Sequence, residues 1–438
     1  MSKNNFITIS NIKIINVQNA LIFHDASTAF IDNVIFEDYT EYAISILNSE
    51  TKDEFIIVNS VFIGSSNSNT IQAIEALNVH LVIKNSQFIN NVGPRANSLS
   101  FSGQKLHLEN NLFQDNITTG HSSTVSISNL NPFDDKHFIK IVNNQFINNQ
   151  IEVDAFPTIS ANLTVGSVHS FGEVHISNNI FKQDFSEHSN FRNVSITSSA
   201  SNDIIVEYLN NTEIGFGRNS QPSLYLSVWD TPVNIKNSIF TGRIQASSSP
   251  NTTISNSWFF DIENPDTEVN LNTMITGIPS NNRHDLFIGN PHLDMETLRP
   301  IWNSQFKSGL INNGHRDTNG DGIFWWNDPE DSDPDNTRLD IGAVHYQHGI
   351  IKHWIFPPLL ASKEKDFTIQ PRSVESIEWL AFPYLDKMYD PANFPHAQAG
   401  YVFGPHNDNN LFGQNEQNED FLESISWNFN NDQGVISR

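Results

Sequence analysis

An Asn-led phrase, most often Asn-Asn/Ser-x-Phe, recurs along the first 260 residues of this chain. Its first four Phe positions follow one another at intervals of 26, 26 and 25 residues. A fixed period of this length is typical of a stacked solenoid, in which each coil buries its apolar side against the next coil. The phrase ends, in order, at Phe36, Phe62, Phe88, Phe113, Phe146, Phe181, Phe240 and Phe259, and degenerate copies lie at 11–14 and 210–213.

The residues before each phrase alternate between apolar and polar or are β-branched, as in 55–58 and 105–108. Short runs of this kind, bounded by Asn, Ser and Gly, indicate strands and turns and not helices. The sequence therefore predicts an all-β fold, a right-handed single-stranded parallel β-helix of about ten coils. We expect the Phe side chains to stack inside, at about 4.8 Å per rung. We expect the Asn residues to occupy left-handed turns and to form hydrogen-bonded ladders along the solenoid axis.

Three segments are predicted. Residues 1–270 carry the coils, and residues 271–349, which lose the phrase, form closing coils and an acidic cap. Residues 350–438 form a small C-terminal β-rich module. Within this module a Trp-x-x-Phe-Pro phrase at 379–383 has a shorter counterpart at 354–357, which suggests internal duplication.

The amino-acid composition argues against several classes of function. The 438 residues include 24 Lys and Arg and 49 Asp and Glu, and the net charge of −25 disfavours nucleic acid as a partner. The absence of cysteine excludes disulfides and thiolate metal sites. No apolar run is long enough to span a membrane, so we expect no membrane insertion. The N terminus shows no signal peptide and no cap for the first coil, and we expect this chain to be an internal piece of a longer protein that acts as a monomer.

An acidic stretch predicts a structural calcium site. Asp317, Asn319 and Asp321 fit positions 1, 3 and 5 of a D-x-[DN]-x-[DN]-G loop, and a Gly follows at position 6. The backbone carbonyl of Ile323 fits position 7, and Asp328 stands at position 12. A simple acidic turn is the alternative reading. A second alternating run of oxygen ligands follows at Asp331, Asp333 and Asp335.

The second run continues into Thr-Arg-Leu-Asp-Ile-Gly-Ala at 337–343. This phrase resembles the closing segment of secreted bacterial right-handed parallel β-helix proteins, many of them from Bacteroidetes-type organisms. The resemblance covers roughly residues 280–350 and implies export and an extracellular or cell-surface location. It does not imply one activity, because proteins on this fold include polysaccharide-cleaving enzymes and proteins with no assigned activity.

Three later coils are longer than the first ones, and their extra residues predict loops at 129–137, around 154–157 and at 184–189. Loops of adjacent coils are expected on one side of a solenoid, where they would form a binding face or would only reflect a tolerant surface. The weak candidates for catalysis on this face are Asp134, Asp135, Lys136, Asp184 and Arg192.

Three functional readings stay open. The first is a non-catalytic, extracellular binding or adhesion protein for a glycan or a surface protein. The second is a polysaccharide lyase or glycoside hydrolase, which would need carboxylates and a base that converge in one groove. The third is a passive spacer.

Overall fold

A computed structural model describes residues 6–346 with short gaps, together with three strands nearer the C terminus. The gaps are 25–27, 49–53, 65–71, 95–96, 120–122, 129–136, 152–159, 167–171, 184–190, 199–203, 216–221, 229–230, 248, 303–306, 326–327 and 335–336. The chain divides into two compact units, one of residues 1–318 with 340–344 and one of residues 319–339 with 345–438. Each unit is described by itself.

Short strands make up nearly all of the regular structure. In chain order they are β1 Phe6–Ile15, β2 Asn19–His24, β3 Thr28–Tyr39, β4 Tyr42–Leu47, β5 Glu54–Val58, β6 Val61–Gly64, β7 Gln72–Leu77, β8 His80–Lys84, β9 Gln87–Ile89, β10 Val92–Gly93, β11 Leu99–Ser102, β12 Lys105–Glu109, β13 Leu112–Gln114, β14 Ile117–Thr118, β15 Val125–Ile127, β16 His137–Val142, β17 Gln145–Ile147, β18 Gln150–Ile151, β19 Ser160–Val165, β20 Gly172–Ser177, β21 Ile180–Lys182, β22 Phe191–Ser198, β23 Ile204–Leu209, β24 Thr212–Ile214, β25 Leu224–Val228, β26 Val233–Lys236, β27 Ile239–Phe240, β28 Ile244–Ala246, β29 Thr252–Ser255, β30 Trp258–Phe259, β31 Ile275–Thr276, β32 Arg283–His284, β33 Phe287–Ile288, β34 Phe367–Ile369, β35 Ser426–Asn430 and β36 Gln433–Ser437. One α-helix, α1 Leu271–Met274, and two 3-10 turns, Ser280–Asn282 and Pro329–Asp331, complete the described elements.

The first unit is a parallel β-helix, which confirms the predicted fold class. Sheet 1 pairs β5, β8, β12, β16, β20, β23, β26, β29 and β32 in parallel, one strand per coil. Sheet 2 pairs β6, β9, β13, β17, β21, β24, β27, β30 and β33 in the same way. The long strands β1 and β3 run through both sheets. Sheet 3 stacks β2, β4, β7, β11, β15, β19, β22, β25, β28 and β31 on the remaining side, and β10, β14 and β18 form a short fourth sheet.

An Asn in the left-handed region turns the chain from sheet 1 to sheet 2 in ten coils, and Asp285 takes this place in the last coil. These residues have φ between 44° and 57°, a region that L-residues other than Asn and Asp rarely adopt. The predicted role of the repeated Asn is confirmed. The positions are Asn11, Asn33, Asn59, Asn85, Asn110, Asn143, Asn178, Asn210, Asn237 and Asn256.

From Asn59 onward, the residue after each corner Asn forms a buried ladder along the axis. The side-chain Oδ1 of Asn144 accepts the backbone N–H of Asn111 at 3.0 Å, and the Oδ1 of Asn179 accepts the N–H of Asn144 at 2.9 Å. The Nδ2 of Asn144 donates to the carbonyl of Leu108 one coil away at 3.1 Å. Each amide thereby satisfies backbone groups that the turn removes from the strand ladder. Ser takes the same place at Ser60, Ser86, Ser238 and Ser257.

The Phe of each phrase points inward and stacks on its counterpart in the next coil. From Phe36 to Phe181 successive ring centroids lie 4.6–4.9 Å apart and the ring planes are within 12° of parallel. Isolated aromatic pairs prefer offset or edge-to-face contacts. Here the strand spacing of about 4.8 Å sets the face-to-face arrangement.

Glu213 replaces Phe in this column, between Phe181 and Phe240 in register. Its carboxylate is fully buried, and it accepts the Tyr208 hydroxyl at 2.5 Å and the Asn193 Nδ2 at 2.9 Å. Burial raises the pKa of this carboxyl, and the hydrogen bonds from Tyr208, Asn193 and Ser223 act in the opposite direction. A polar interior position of this kind is stable only because its oxygens have partners.

A lateral segment, residues 289–302 and 307–318 with 340–344, packs on the outer side of sheet 2. Leu293, Leu310 and Ile341 form a second apolar core with Ile214 and Ile239 of the sheet. Hydrogen bonds from the Asp-Ile-Gly-Ala phrase at 340–343 hold this segment in place. Asp340 accepts the N–H of Asn312 at 2.7 Å, and the N–H of Gly342 donates to the carbonyl of Asn237 at 2.7 Å. Gly342 has φ 106°, and a Cβ there would come within 2.5 Å of Ile239.

Of the predicted segments, 271–288 adds β31, β32 and β33 as a last coil. Beyond residue 350 the structure describes only β34, β35 and β36, which form an antiparallel sheet. The phrases at 354–357 and 379–383 lie outside the described residues, so their duplication stays a prediction. Within the described part, no helix is long and apolar enough to cross a membrane.

Replacement of Asn144 by Ala is expected to lower the free energy of unfolding by about 1–3 kcal/mol, because the buried N–H and Nδ2 of Asn111 lose the Asn144 Oδ1 as their acceptor. The exposed corner residue next to it supplies the control. Asn143→Gly keeps the left-handed turn and leaves the ladder intact, so we expect a smaller loss. Denaturant unfolding of both variants tests the ladder, and equal losses would contradict its stabilising role.

Candidate functional site

The outer side of sheet 1 brings charged side chains from five consecutive strands together. In β12, Leu106 and Leu108 point into the core, so Lys105, His107 and Glu109 face outward. Parallel register then aligns these positions with their counterparts in neighbouring coils. We name this surface the charged face and define it as His80, Lys84, Lys105, His107, Glu109, Phe138, Lys140, Glu173, His175, Ile205 and Glu207.

One cluster on the charged face joins Lys84, His107 and Glu109. The Lys84 Nζ lies 2.6 Å from Glu109 Oε2, and this hydrogen bond lowers the pKa of the Glu109 carboxyl. His107 Nε2 lies 3.3 Å from the same oxygen. Burial, followed by the charge of Lys84, lowers the pKa of His107. The imidazole is therefore neutral at neutral pH, and Lys84 and Glu109 form the ion pair of this cluster.

The second cluster places one imidazole between two carboxylates. His175 Nε2 lies 3.1 Å from Glu173 Oε2, and Nδ1 lies 3.1 Å from Glu207 Oε2 on the next strand. A neutral imidazole has one N–H, so only the imidazolium donates to both carboxylates. The hydrogen bond that His175 donates to Glu207 is the main reason that the pKa of His175 is raised.

Phe138 lies beside this cluster and is 37% exposed. Its ring centroid is 5.6 Å from that of His175, with the ring planes tilted by 49°. The register partner of Phe138 on β12 is Lys105, and Lys140 follows two residues later on the same strand. The exposed ring of Phe138 thus has Lys105 on one neighbouring strand, the His175 cluster on the other, and Lys140 further along its own strand.

Of the candidates predicted for catalysis, only Arg192 lies in the described part. Asp134, Asp135, Lys136 and Asp184 lie outside it. Arg192 is on β22 of sheet 3, where its guanidinium lies 4.0 Å from the centroid of the Tyr225 ring. It is 5% exposed, and burial lowers its pKa. A buried cation over an aromatic ring is a packing contact, and it belongs to a different sheet from the charged face.

The three long insertions do not enter at one corner, contrary to the expectation of a single loop face. Segment 129–136 follows β15 of sheet 3 and precedes β16 of sheet 1. Segments 152–159 and 184–190 instead lead into β19 and β22 of sheet 3. The length of a coil shows that it has an insertion but does not show at which corner the insertion enters.

The predicted calcium ligands form local turns. Asn319 Oδ1 accepts the N–H of Asp321 at 3.1 Å, and Asp321 Oδ1 accepts the N–H of Ile323 at 2.7 Å. Asp328 Oδ1 accepts the N–H of Glu330 at 2.9 Å. Asp331 and Asp333 are buried, Asp335 lies outside the described residues, and Asp317 belongs to the first unit. Among the residues that the structure describes, no three Asp, Glu or His side chains form a group that could hold a metal ion. Calcium stays a prediction.

If calcium occupies this loop, its removal by a chelator should lower the unfolding temperature, and its return should restore it, because an ion that binds only the folded state stabilises it. Asp321→Ala should abolish this response. Asp285→Ala, at a turn between β32 and β33, is the matched control and should respond like the parent. If the unfolding temperature of the parent does not change when the chelator is added, the predicted calcium site is refuted.

The His175 cluster was missed because a lone histidine on a strand is usually structural. Two signals in the sequence could have revealed it. The period of two in a strand places Glu173 and His175 on one face. The 32-residue spacing between Phe181 and Glu213 also separates His175 from Glu207, so the solenoid period predicts that these two residues are neighbours.

Comparison with protein-family models, with curated proteins and with solved structures finds no match to this chain. The charged face is therefore interpreted from its own geometry.

The raised pKa of His175 predicts a pH-dependent stability. The imidazolium contributes fully below the unfolded pKa of about 6.5. Its contribution is lost as the pH rises through the higher folded pKa. We expect at most about 1 kcal/mol, since the groups are partly exposed. His175→Gln should remove this part of the pH profile of unfolding, whereas His24→Gln, at an exposed position on β2, should retain it. Identical profiles for the parent and His175→Gln would contradict the assignment.

Proposed function

We propose that this chain is an extracellular or cell-surface glycan-binding protein and that the charged face is its binding surface. The observation that carries the proposal is the exposed ring of Phe138 among hydrogen-bonding side chains on sheet 1. An exposed aromatic face binds the apolar C–H side of a sugar ring, and carboxylates, imidazole and ammonium groups bind the hydroxyls. The extracellular location rests on the resemblance at 337–343, and antibody labelling of intact cells would test it.

The backbone supports such a surface. Phe138, Lys140 and His175 stand on strands whose alternate residues are fully buried, as Ile139, Ile141, Val174 and Ile176 show. Strands fixed by a packed core position side chains more accurately than loops do. A long surface of parallel rungs also suits an extended polymer better than a compact ligand.

A second candidate function is cleavage of an extracellular polysaccharide. The observation that favours it is the convergence of Glu173, His175 and Glu207. One feature favours binding instead. The imidazole occupies the space between the two carboxylates, where paired glycosidase carboxylates would hold the sugar.

The proposed function predicts that Phe138→Ala weakens binding to a soluble polysaccharide by about tenfold, which corresponds to ~1.4 kcal/mol. Isothermal titration or affinity electrophoresis against a panel of polysaccharides gives the measurement. Leu77→Ala is the matched control, because Leu77 is 39% exposed on sheet 3 and should not affect binding. Equal affinity of Phe138→Ala and the parent would refute the proposed surface. Release of reducing ends or unsaturated products in the same incubations would favour the enzyme.

A further inference from the structure

We propose that the ligand of the charged face is a carboxylated polysaccharide and that its carboxylates bind to Lys105, across the strands from Phe138, and to Lys140, along the same strand. This inference rests on the proposed function and adds the class of ligand.

The first step is the arrangement of the three side chains. Lys105 and Phe138 are register partners on adjacent strands, about 4.8 Å apart. Lys140 lies on the same face as Phe138, about 7 Å further along β16. A sugar ring placed on Phe138 therefore has an ammonium group within reach across the strands and another along the strand.

The second step is the pairing of charges on this surface. Lys84 is paired with Glu109, and His175 lies between Glu173 and Glu207. Within the described part, the ion pairs do not include Lys105 or Lys140. Two neighbouring lysines that form no ion pair with a carboxylate of the described residues are suited to bind one from a ligand.

The third step is the contrast with the rest of the molecule. The chain carries a net charge of −25, yet the charged face is net positive when His175 is protonated. A strongly acidic protein repels polyanions in general, so a polyanion would bind only where the local potential is reversed. The protonated imidazole also offsets one of the two negative charges of Glu173 and Glu207, which reduces their repulsion of an acidic sugar beside Phe138.

The experiment compares three soluble polymers: alginate, which carries carboxylates, dextran sulfate, which carries sulfates, and neutral dextran. The parent is expected to bind alginate and to bind it more weakly as salt concentration rises. The double variant Lys105→Gln/Lys140→Gln should bind alginate at least tenfold more weakly. Lys13→Gln/Lys182→Gln is the matched control, because it removes the same charge from outward positions of β1 and β21 and should bind like the parent.

The outcomes separate this inference from the proposed function. If neutral dextran binds the parent, and binding depends on Phe138 but not on the two lysines, the glycan-binding surface stands and the acidic ligand is refuted. If dextran sulfate binds through the two lysines and alginate does not, the carboxylate is refuted. If no polymer binds the parent, both proposals fail. Unchanged thermal unfolding of the double variant shows that a loss of binding is not a loss of fold.

Discussion

The spacing of about 4.8 Å between parallel rungs is the constraint on which the structure depends. This spacing places each residue directly beside the residue at the same position of the next coil, so that side chains of the same type contact each other. Inside, this favours Phe on Phe and Asn on Asn, since rings stack and an amide both donates and accepts. Outside, like charges would repel, and the charged face pairs Lys84 with Glu109 and His175 with Glu207 instead.

Glu213 shows how the interior resolves a conflict between two stacks. A second amide ladder runs through Asn116, Asn149, Asn162 and Asn193, and each Nδ2 donates to the next Oδ1. A ladder of one direction needs an acceptor at its end, and the Glu213 carboxylate supplies it. Phe at this position would leave the last amide donor buried without a partner, which costs about 1–3 kcal/mol. The second amide ladder therefore requires that Glu213 replace Phe at this position of the Phe column.

The sequence was sufficient for features that repeat in every coil and insufficient for those that occur once. The parallel β-helix, the left-handed Asn corners and the buried ladder follow from the period and from the residue types. The His175 cluster depends on register across coils of unequal length, and the corner of each insertion depends on which strand precedes it. The packing of Ile341 on Ile239 joins positions about a hundred residues apart. Local pattern contains no information on such contacts.

The chemistry of the outward positions decides which side of the solenoid can serve a ligand. Sheet 2 presents Ile180, Ile214 and Ile239 outward, and the lateral segment covers them with its own apolar residues. Sheet 1 presents Lys105, Lys140 and His175 at the equivalent outward positions of its strands, and covering them with protein would cost the solvation of their charges. A hydrated, hydroxyl-rich polymer can contact such groups without removing all their water, because bridging waters are nearly as favourable as direct contacts. The same outward alternation therefore directs the lateral segment to sheet 2, and sheet 1 is the surface on which we propose that a glycan binds.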